Sequence, residues 1–289
     1  MRLVKSSYEV WDRSGDPLAL IERAGRVCYQ SEPAGDSEGF VKRLIDRKHF
    51  SVLEHAWFAT QGYSPFPIPS FMEWHGDKEM ILGNARAWRN AIRRGKVGLP
   101  SGMRERFPCL FGDLQQKPDP LCKLVNFPDG LVFTVNFIID RGVSHELVRH
   151  RPPSFSQEST RYCSYSGGVT FVIPPWVEAD PGKYRSFSSG HEISDGWWNA
   201  MLGAEATYLD LVKYWSPQQA RSVLPNSLKT QIVVTAYWTE WQIIFALRCA
   251  SGAHPQMREV MVPLQQELAS RYPEKFSDDV IQQVRGDLG

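Results

Sequence analysis

The stretch LVFTVNFIIDRGVSHELVRHRPPSFSQESTRY, residues 131–162, decides how this chain is read. Leu131 to Ile139 is mostly apolar and rich in β-branched side chains, as in a buried strand. Asp140 to Arg151 reads as a short helix, stopped at Pro152-Pro153 because proline disfavours helix in the residue before it. At about 100° per residue, Arg149, His150 and Arg151 fan across roughly 200° of a helix surface, so they cannot share one solvated face. Some must point at the protein or at a ligand. The Ser, Gln and Thr residues from Ser154 to Thr160 suit a loop offering hydroxyl, amide and backbone donors to a phosphate or a base edge. A basic helix end favoured by the helix dipole, followed by a plain polar loop, fits the same residues.

Outward from this stretch, helices and strands mix without regular βαβ alternation, which points to an α+β fold. Asp16 caps and Pro17 opens a helix with Leu18, Ile21, Ala24 and Val27 at helical spacing. Asp36 or Ser37 caps a second, with Phe40, Val41, Leu44 and Ile45 as its stripe, and the turn His49–His55 leads into a strand from Ala56 to Gly62. The proline-rich stretch Ser64–Pro69 fits neither a central strand nor a helix interior. Residues 70–95 read as one helix with Trp74, Ile81, Ala85 and Trp88 to one side, and Gly95–Gly130, with five prolines, as a loop-like insertion or partner-contact segment. Later elements are a strand near Val169–Ile173, an amphipathic helix Ser194–Trp215, a short helix behind Ser216-Pro217, and a strand Leu228–Ala236. Helices Thr239–Ala250 and Pro255–Tyr272 follow, the second with Met257, Met261, Leu264 and Leu268 inward.

The chain has 289 residues, 42% hydrophobic, enough for a full core, and its 33 Lys+Arg against 32 Asp+Glu give a net charge of +1. No long-range field recommends it as a general binder of nucleic acid or membrane surfaces, so any anion must be met by a local cluster. No apolar run is long enough to span a bilayer, and charge interrupts the first residues too early for a signal peptide; the chain reads as cytoplasmic. The five scattered cysteines, with no CxxC pair, read as small buried side chains rather than disulfides or a zinc site. Aromatic content of 12%, with ten Trp, fits a packed enzyme or a chain that stacks on planar ligands.

Arg248 falls on the same helical stripe as Trp241, Ile244 and Phe245, where a guanidinium needs a carboxylate, a phosphate or a polarised carbonyl. A structural ion pair would satisfy it equally. His49 and His55 have no third ligand at a recognisable spacing, so no metal site is expected, and Ser51 reads as a local helix cap. His254, before Pro255, reads as a cap-region residue. The chain has no GxGxxG, P-loop, GxSxG or HExxH motif.

Arg149-His150-Arg151, seven residues, then Ser159 resembles the signature of the flavin-dependent thymidylate synthases. The turn HFSVLEH from His49 to His55 resembles that family's HExxxEH turn, and Ala220-Arg221-Ser222-Val223-Leu224-Pro225 its ARxxLP segment. Leu247-Arg248, with His254 and Glu259 beyond, resembles its LR…H…E segment, and all the blocks run in the family's order. The resemblance implies an α+β fold with a central, mostly antiparallel sheet and flanking helices. It implies one domain over 1–289 with an insertion at about 64–130, assembled as a homotetramer with shared active sites. It also implies reductive methylation of dUMP to dTMP, with methylenetetrahydrofolate supplying the carbon, FAD as redox cofactor and NADPH as reductant. No nucleic-acid or membrane partner is implied.

Carried over residue by residue, Arg248 and Ser159 are the candidate catalytic positions. Ser51, Arg149, His150, Arg151, Gln157, Tyr237, Thr239 and His254 would bind the flavin. Glu146, Arg149, Gln157, Glu158, Ser159, Thr160, Arg161, Arg221 and Arg248 would hold the nucleotide, and His49 would border the folate site. Arg248 would lie against the uracil and favour its N3-ionised form. No cysteine nucleophile is implied, and Pro108-Cys109 is followed by Leu110 rather than by the His of the other thymidylate synthase class. Many relatives carry Asn-x-Arg where this chain has Tyr237 and Thr239, and Ile243 replaces a polar residue, so the adenosine end of FAD would stack on Tyr237 or Trp238. Two other readings stay open. One is flavin-dependent methylation or hydroxymethylation of another pyrimidine nucleotide such as UMP. The other is a non-catalytic nucleotide- or RNA-binding protein using Arg149, Arg151 and Arg161 for phosphate and its aromatics for stacking.

Overall fold

The computed structural model describes residues 1–62, 72–185 and 192–288. The chain opens with β1 (Arg2–Val4), β2 (Ser7–Trp11), α1 (Pro17–Val27), α2 (Ser37–Asp46), a 3₁₀ turn (Phe50–His55) and β3 (Trp57–Gly62). Next come β4 (Met72–His75), β5 (Met80–Asn84), α3 (Ala85–Arg93), β6 (Leu99–Ser101), α4 (Met103–Arg106), α5 (Pro108–Phe111) and β7 (Pro118–Val125). The middle of the chain forms β8 (Val132–Asp140), α6 (Arg141–Leu147), β9 (Ser154–Gln157), β10 (Thr170–Val172), β11 (Gly182–Lys183) and α7 (Glu192–Leu211). It finishes with α8 (Pro217–Ala220), β12 (Lys229–Tyr237), α9 (Trp238–Arg248), α10 (Pro255–Arg271), α11 (Pro273–Phe276) and α12 (Asp278–Asp287).

The expected strand after Leu131 is β8, and it pairs antiparallel with β12 from Val132 opposite Tyr237 to Asp140 opposite Lys229. With β2 beyond β8 and β9 beyond β12 it makes a four-stranded, wholly antiparallel sheet in the order β2-β8-β12-β9. Alternation gives its two faces different chemistry. Phe133, Val135, Phe137 and Ile139, with Ile232, Val234 and Ala236, pack on one core with Trp241, Phe245, Met257, Met261, Leu264 and Leu268 of α9 and α10. Each such side chain stabilises the fold by about 1.5–3 kcal/mol. The other face carries Val233 against Trp11, Leu20, Ala24 and Val27. It also carries Thr134 and Thr235, buried and hydrogen-bonded to each other at 2.8 Å.

A five-stranded sheet, β4-β5-β3-β7-β6, is built largely from residues 72–125, with β3 as its one strand contributed from before Ser64. Trp88 and Ile92 of α3 and Leu110 and Phe111 of α5 share a core with Leu18 and Ile21 of α1 and Val41 and Leu44 of α2. A third sheet, β10-β1-β11, is covered by α7, where Trp198 and Tyr208 meet Leu3 and Phe171. Asp16 caps α1 by accepting from Leu18 N at 2.9 Å, as its position before Pro17 requires.

Several sequence expectations are corrected. Within the described part of residues 70–95 only α3 is helical; β4 and β5 precede it as a hairpin turned through Gly76–Lys78 and a left-handed Glu79. Every residue of β5 is buried, which removes the period-two pattern that would have marked a strand. The segment 95–130 is ordered as β6, α4, α5 and β7, with Pro100 in a three-residue edge strand, Pro108 at the first turn of a helix, Pro118 and Pro120 in the first residues of β7 and Pro128 beyond its end. Ser154–Gln157 is the edge strand β9 rather than loop. Helix α6 ends at Leu147, so Arg149, His150 and Arg151 lie in a turn beyond it, and α7 ends at Leu211 rather than Trp215. Ser64–Pro69 lies outside the described residues.

Candidate active site

Strand β8 delivers Asp140 as the cap of α6, its Oδ1 accepting from Val143 N at 2.7 Å and its Oδ2 from Gln256 Nε2 at 2.9 Å. That cap sets α6, and so Glu146, against the end of α9. There Arg248 donates from Nη1 to Glu146 Oε2 at 2.8 Å, from Nη2 to the Glu146 carbonyl at 3.0 Å, and from Nε to His150 Nε2 at 2.9 Å. The last bond requires a neutral His150 with its proton on Nδ1. Burial, with the Arg248 charge second, pulls His150 down to about 4, which keeps it neutral. Three of the five N–H groups of Arg248 are thus used, leaving two for a ligand. Arg248, Glu146, Leu247 and His254 line a cleft of about 640 Å³. The exposed Trp176 stands edge-on to His254, ring centroids 5.8 Å apart.

Four of the candidate residues therefore meet at one place: Glu146, His150, Arg248 and His254. Arg149 and Arg151 leave the same turn exposed, and neither has an ion-pair partner among the described residues. A second group surrounds Glu158, which is buried and spent within the protein. Its Oε2 pairs with Lys229 Nζ at 2.7 Å and accepts from Gln231 N at 3.1 Å, while its Oε1 accepts from Tyr165 Oη at 2.8 Å. Gln157 donates to Ser144 Oγ and Thr230 Oγ1, and Arg221 to Thr160 Oγ1 at 3.0 Å. Ser159 Oγ accepts from Arg161 N at 3.3 Å, with Arg161 exposed. Glu158 and Gln157 thus hold the loop that presents Ser159 and Arg161, with their own side-chain bonds made inside the protein, and Arg221 reaches that loop from the turn after α8 through Thr160.

No described contact joins His49, Ser51, Tyr237 or Thr239 to the Arg248 cleft. His49 and Ser51 are exposed on the 3₁₀ turn, and neither makes a capping bond, against the expectation for Ser51. Tyr237 and Thr239 lie at the opposite end of α9 from Arg248, about 15 Å away at the helical rise. Tyr237 is buried, with Trp57 stacked on it at 6.3 Å and 17°, so its ring is not open to a ligand; Trp238 is half-buried. His55 is enclosed, Nδ1 2.8 Å from Thr235 Oγ1 and Nε2 2.9 Å from Ser156 Oγ, and among the described residues no cluster could hold a metal. Sequence reasoning missed Lys229 and Tyr165 as partners of Glu158, and Trp176 beside His254. Their spacing along the chain carries no signal for those contacts.

A family model described as thymidylate synthase complementing protein matches residues 9–64 and 129–274. The flavin-dependent thymidylate synthase of Mycobacterium avium is 27% identical over 278 residues, covering 92% of this chain and 81% of the relative. That of Mycolicibacterium vanbaalenii is 28% identical over 280 residues, covering 93% and 82%. Among solved structures, the UMP/dUMP methylase PolB of Streptomyces cacaoi bound with 5-Br dUMP aligns at a TM-score of 0.44 and 19% identity, covering 93% of each chain.

Proposed function

Because the chain belongs to the family of thymidylate synthase complementing proteins, we propose that it is a flavin-dependent thymidylate synthase, methylating dUMP reductively to dTMP. Methylenetetrahydrofolate supplies the carbon and NADPH the reducing equivalents in this reading. The observation that carries it is Arg248, locked by Glu146 and His150 yet keeping two N–H groups for a ligand at the cleft. A guanidinium so fixed stabilises negative charge on the O2–N3 side of a uracil without having to reorganise. Glu146 and neutral His150 hold it in position. The loop held by Glu158 offers Arg161 and Ser159, and the turn after α8 offers Arg221, to the nucleotide phosphate.

The residues fit a flavin. Arg149 and Arg151, exposed and without ion-pair partners among the described residues, suit its diphosphate, with His254 and Ser51 toward the rings. Half-buried Trp238 suits the adenosine end better than the covered Tyr237. Bound FAD supplies the electrons that make a methyl group of the transferred carbon. His49 borders the folate. The separation of about 14 Å between Thr239 and Arg248 along α9, with no contact joining them, supports one flavin touching two chains, and so a homotetramer with shared sites. Exposed Leu247, Val148 and Trp176 around the cleft suit cover by another subunit. Segment 64–130 is an insertion in the family's domain, a reading supported by the gap in the family match between 64 and 129.

The test is an anaerobic spectrum of the NADPH-reduced protein mixed with methylenetetrahydrofolate and dUMP or, separately, UMP. Flavin reoxidation with dTMP formed from dUMP is expected, and purification without flavin refutes the proposal. Arg248→Ala is expected to retain flavin and lose about 10²–10³-fold in turnover; full activity in that variant removes the role given to Arg248.

A further inference from the structure

A second cavity, of about 680 Å³, lies between α1, β3 and the returning end of the inserted segment, and none of the candidate active-site residues lines it. Its size suits a small molecule. Arg13 lines it and carries an uncompensated charge. Its Nη1 donates to the His55 carbonyl at 3.0 Å and to Thr134 Oγ1 at 2.7 Å, its Nε is buried without a partner, and no carboxylate pairs with it among the described residues. Removing a guanidinium from water without an anion is costly, and here burial pulls Arg13 down to about 10. Arg106 and Arg271 share the lining; neither forms a direct ion pair among the described residues, though the Asp12 carboxyl, lowered first by its hydrogen bonds from Ser14, is lowered further by the Arg271 charge. Four arginines, Arg23 among them and paired with Glu9, face three acids of the lining, each acid hydrogen-bonded to a neutral donor. Asp12 accepts from Ser14, Asp16 caps α1, and Asp129 accepts from Tyr272 Oη. Trp57, Phe107 and Phe127 supply aromatic wall, and the Arg13 guanidinium lies 5.9 Å from the Phe127 ring centroid.

We propose that this cavity binds a small planar aromatic anion, with Arg13, Arg106 and Arg271 meeting the charge and Trp57, Phe107 and Phe127 the ring. The anion is a carboxylate or a phosphate, as in an aryl acid or a nucleoside monophosphate. Arg13 anchors it rigidly, since its Nη1 bonds tie it to the central sheet and to the 3₁₀ turn.

4-Aminobenzoate and AMP are the probes, titrated calorimetrically into the full-length protein and into Arg106→Glu, with hydrogen exchange locating the bound probe. Arg106 is exposed, so reversing its charge leaves the core untouched. Arg13→Lys provides a second variant, keeping a charge while losing the planar fork. At least one probe is expected to bind and to protect residues 57–59 and 124–129. Each variant is expected to weaken it by about tenfold or more. Binding of 4-aminobenzoate alone assigns a carboxylate site, and of AMP alone a phosphate site. The proposal is overturned if neither binds tighter than about 1 mM, if protection falls only on the Arg248 cleft, or if both variants bind as well as the parent.

Discussion

Replacing His55 by Gln flattens the dependence of stability on pH below neutrality. The imidazole is fully buried between Thr235 and Ser156, and burial, with the Arg13 charge second, pushes it from 6.5 down to about 3. In the unfolded chain the ring takes a proton near pH 6.5; in the folded chain it stays neutral until about pH 3. The unfolded state therefore binds more protons between those values. Stability from this group is complete above pH 6.5 and is lost as pH falls toward 3. Between pH 7 and pH 5 the loss comes to about 2 kcal/mol. Urea unfolding at pH 7, 6 and 5, followed by Trp fluorescence, measures it in the parent protein and in His55→Gln. Gln keeps a donor and an acceptor in the pocket but takes no proton, so the parent should lose about 2 kcal/mol more than the variant over that range. His150, also lowered by burial, contributes equally to both proteins and cancels in the comparison. Parallel profiles for the two proteins would refute the assignment of a neutral, proton-excluding His55.

Three further outcomes follow from the described contacts. Glu158→Gln leaves Lys229 without its anion and is expected to destabilise by about 3 kcal/mol in chemical denaturation, with Lys229→Met on top of it recovering part of the loss. Arg89 is almost wholly buried and bonds both oxygens of the half-exposed Asp113 at 2.8 Å; Asp113→Asn, which keeps one acceptor, is therefore expected to cost about 1–2 kcal/mol and lower the thermal midpoint, with the far-UV spectrum at room temperature unchanged. Nitrogen NMR of His150 at pH 6 is expected to report the neutral, Nδ1-protonated ring, whereas an imidazolium there would contradict its bond from Arg248.

The parts of the fold legible in the sequence are those whose local chemistry and tertiary surroundings agree. Asp16-Pro17 starts α1, apolar β-branched runs make β8 and β12, and Met257, Met261, Leu264 and Leu268 all turn inward from α10. Elements with conflicting signals were misread. Strand β9 is Ser-Phe-Ser-Gln, polar in composition because Ser156 answers His55 and Gln157 answers Ser144, and β5 is buried on both faces. Arg248 was legible as a cation demanding a partner, but its partners Glu146 and His150 lie about a hundred residues earlier and meet it only through the cap on α6. The inside role of Glu158 was hidden for the same reason, since Lys229 comes from the neighbouring strand. His49, Ser51, Tyr237 and Thr239 entered through resemblance, and no single-chain contact gathers them.

Strands β3 and β7 are hydrogen-bonded neighbours running in opposite directions, with Gly62 opposite Cys122. The chain thus leaves and rejoins the parts matched by the family model through one doorway, a strand spacing of about 4.8 Å wide. A change of length beyond that doorway shifts no residue of β8, β12 or the Arg248 cleft. The same geometry sets a limit, because Trp88, Ile92, Leu110 and Phe111 roof the apolar sides of α1 and α2. A shortened chain that closed β3 onto β7 with a tight turn would keep its sheet register while baring Leu18, Ile21, Val41 and Leu44. It would need new polar residues at those four positions to remain in solution.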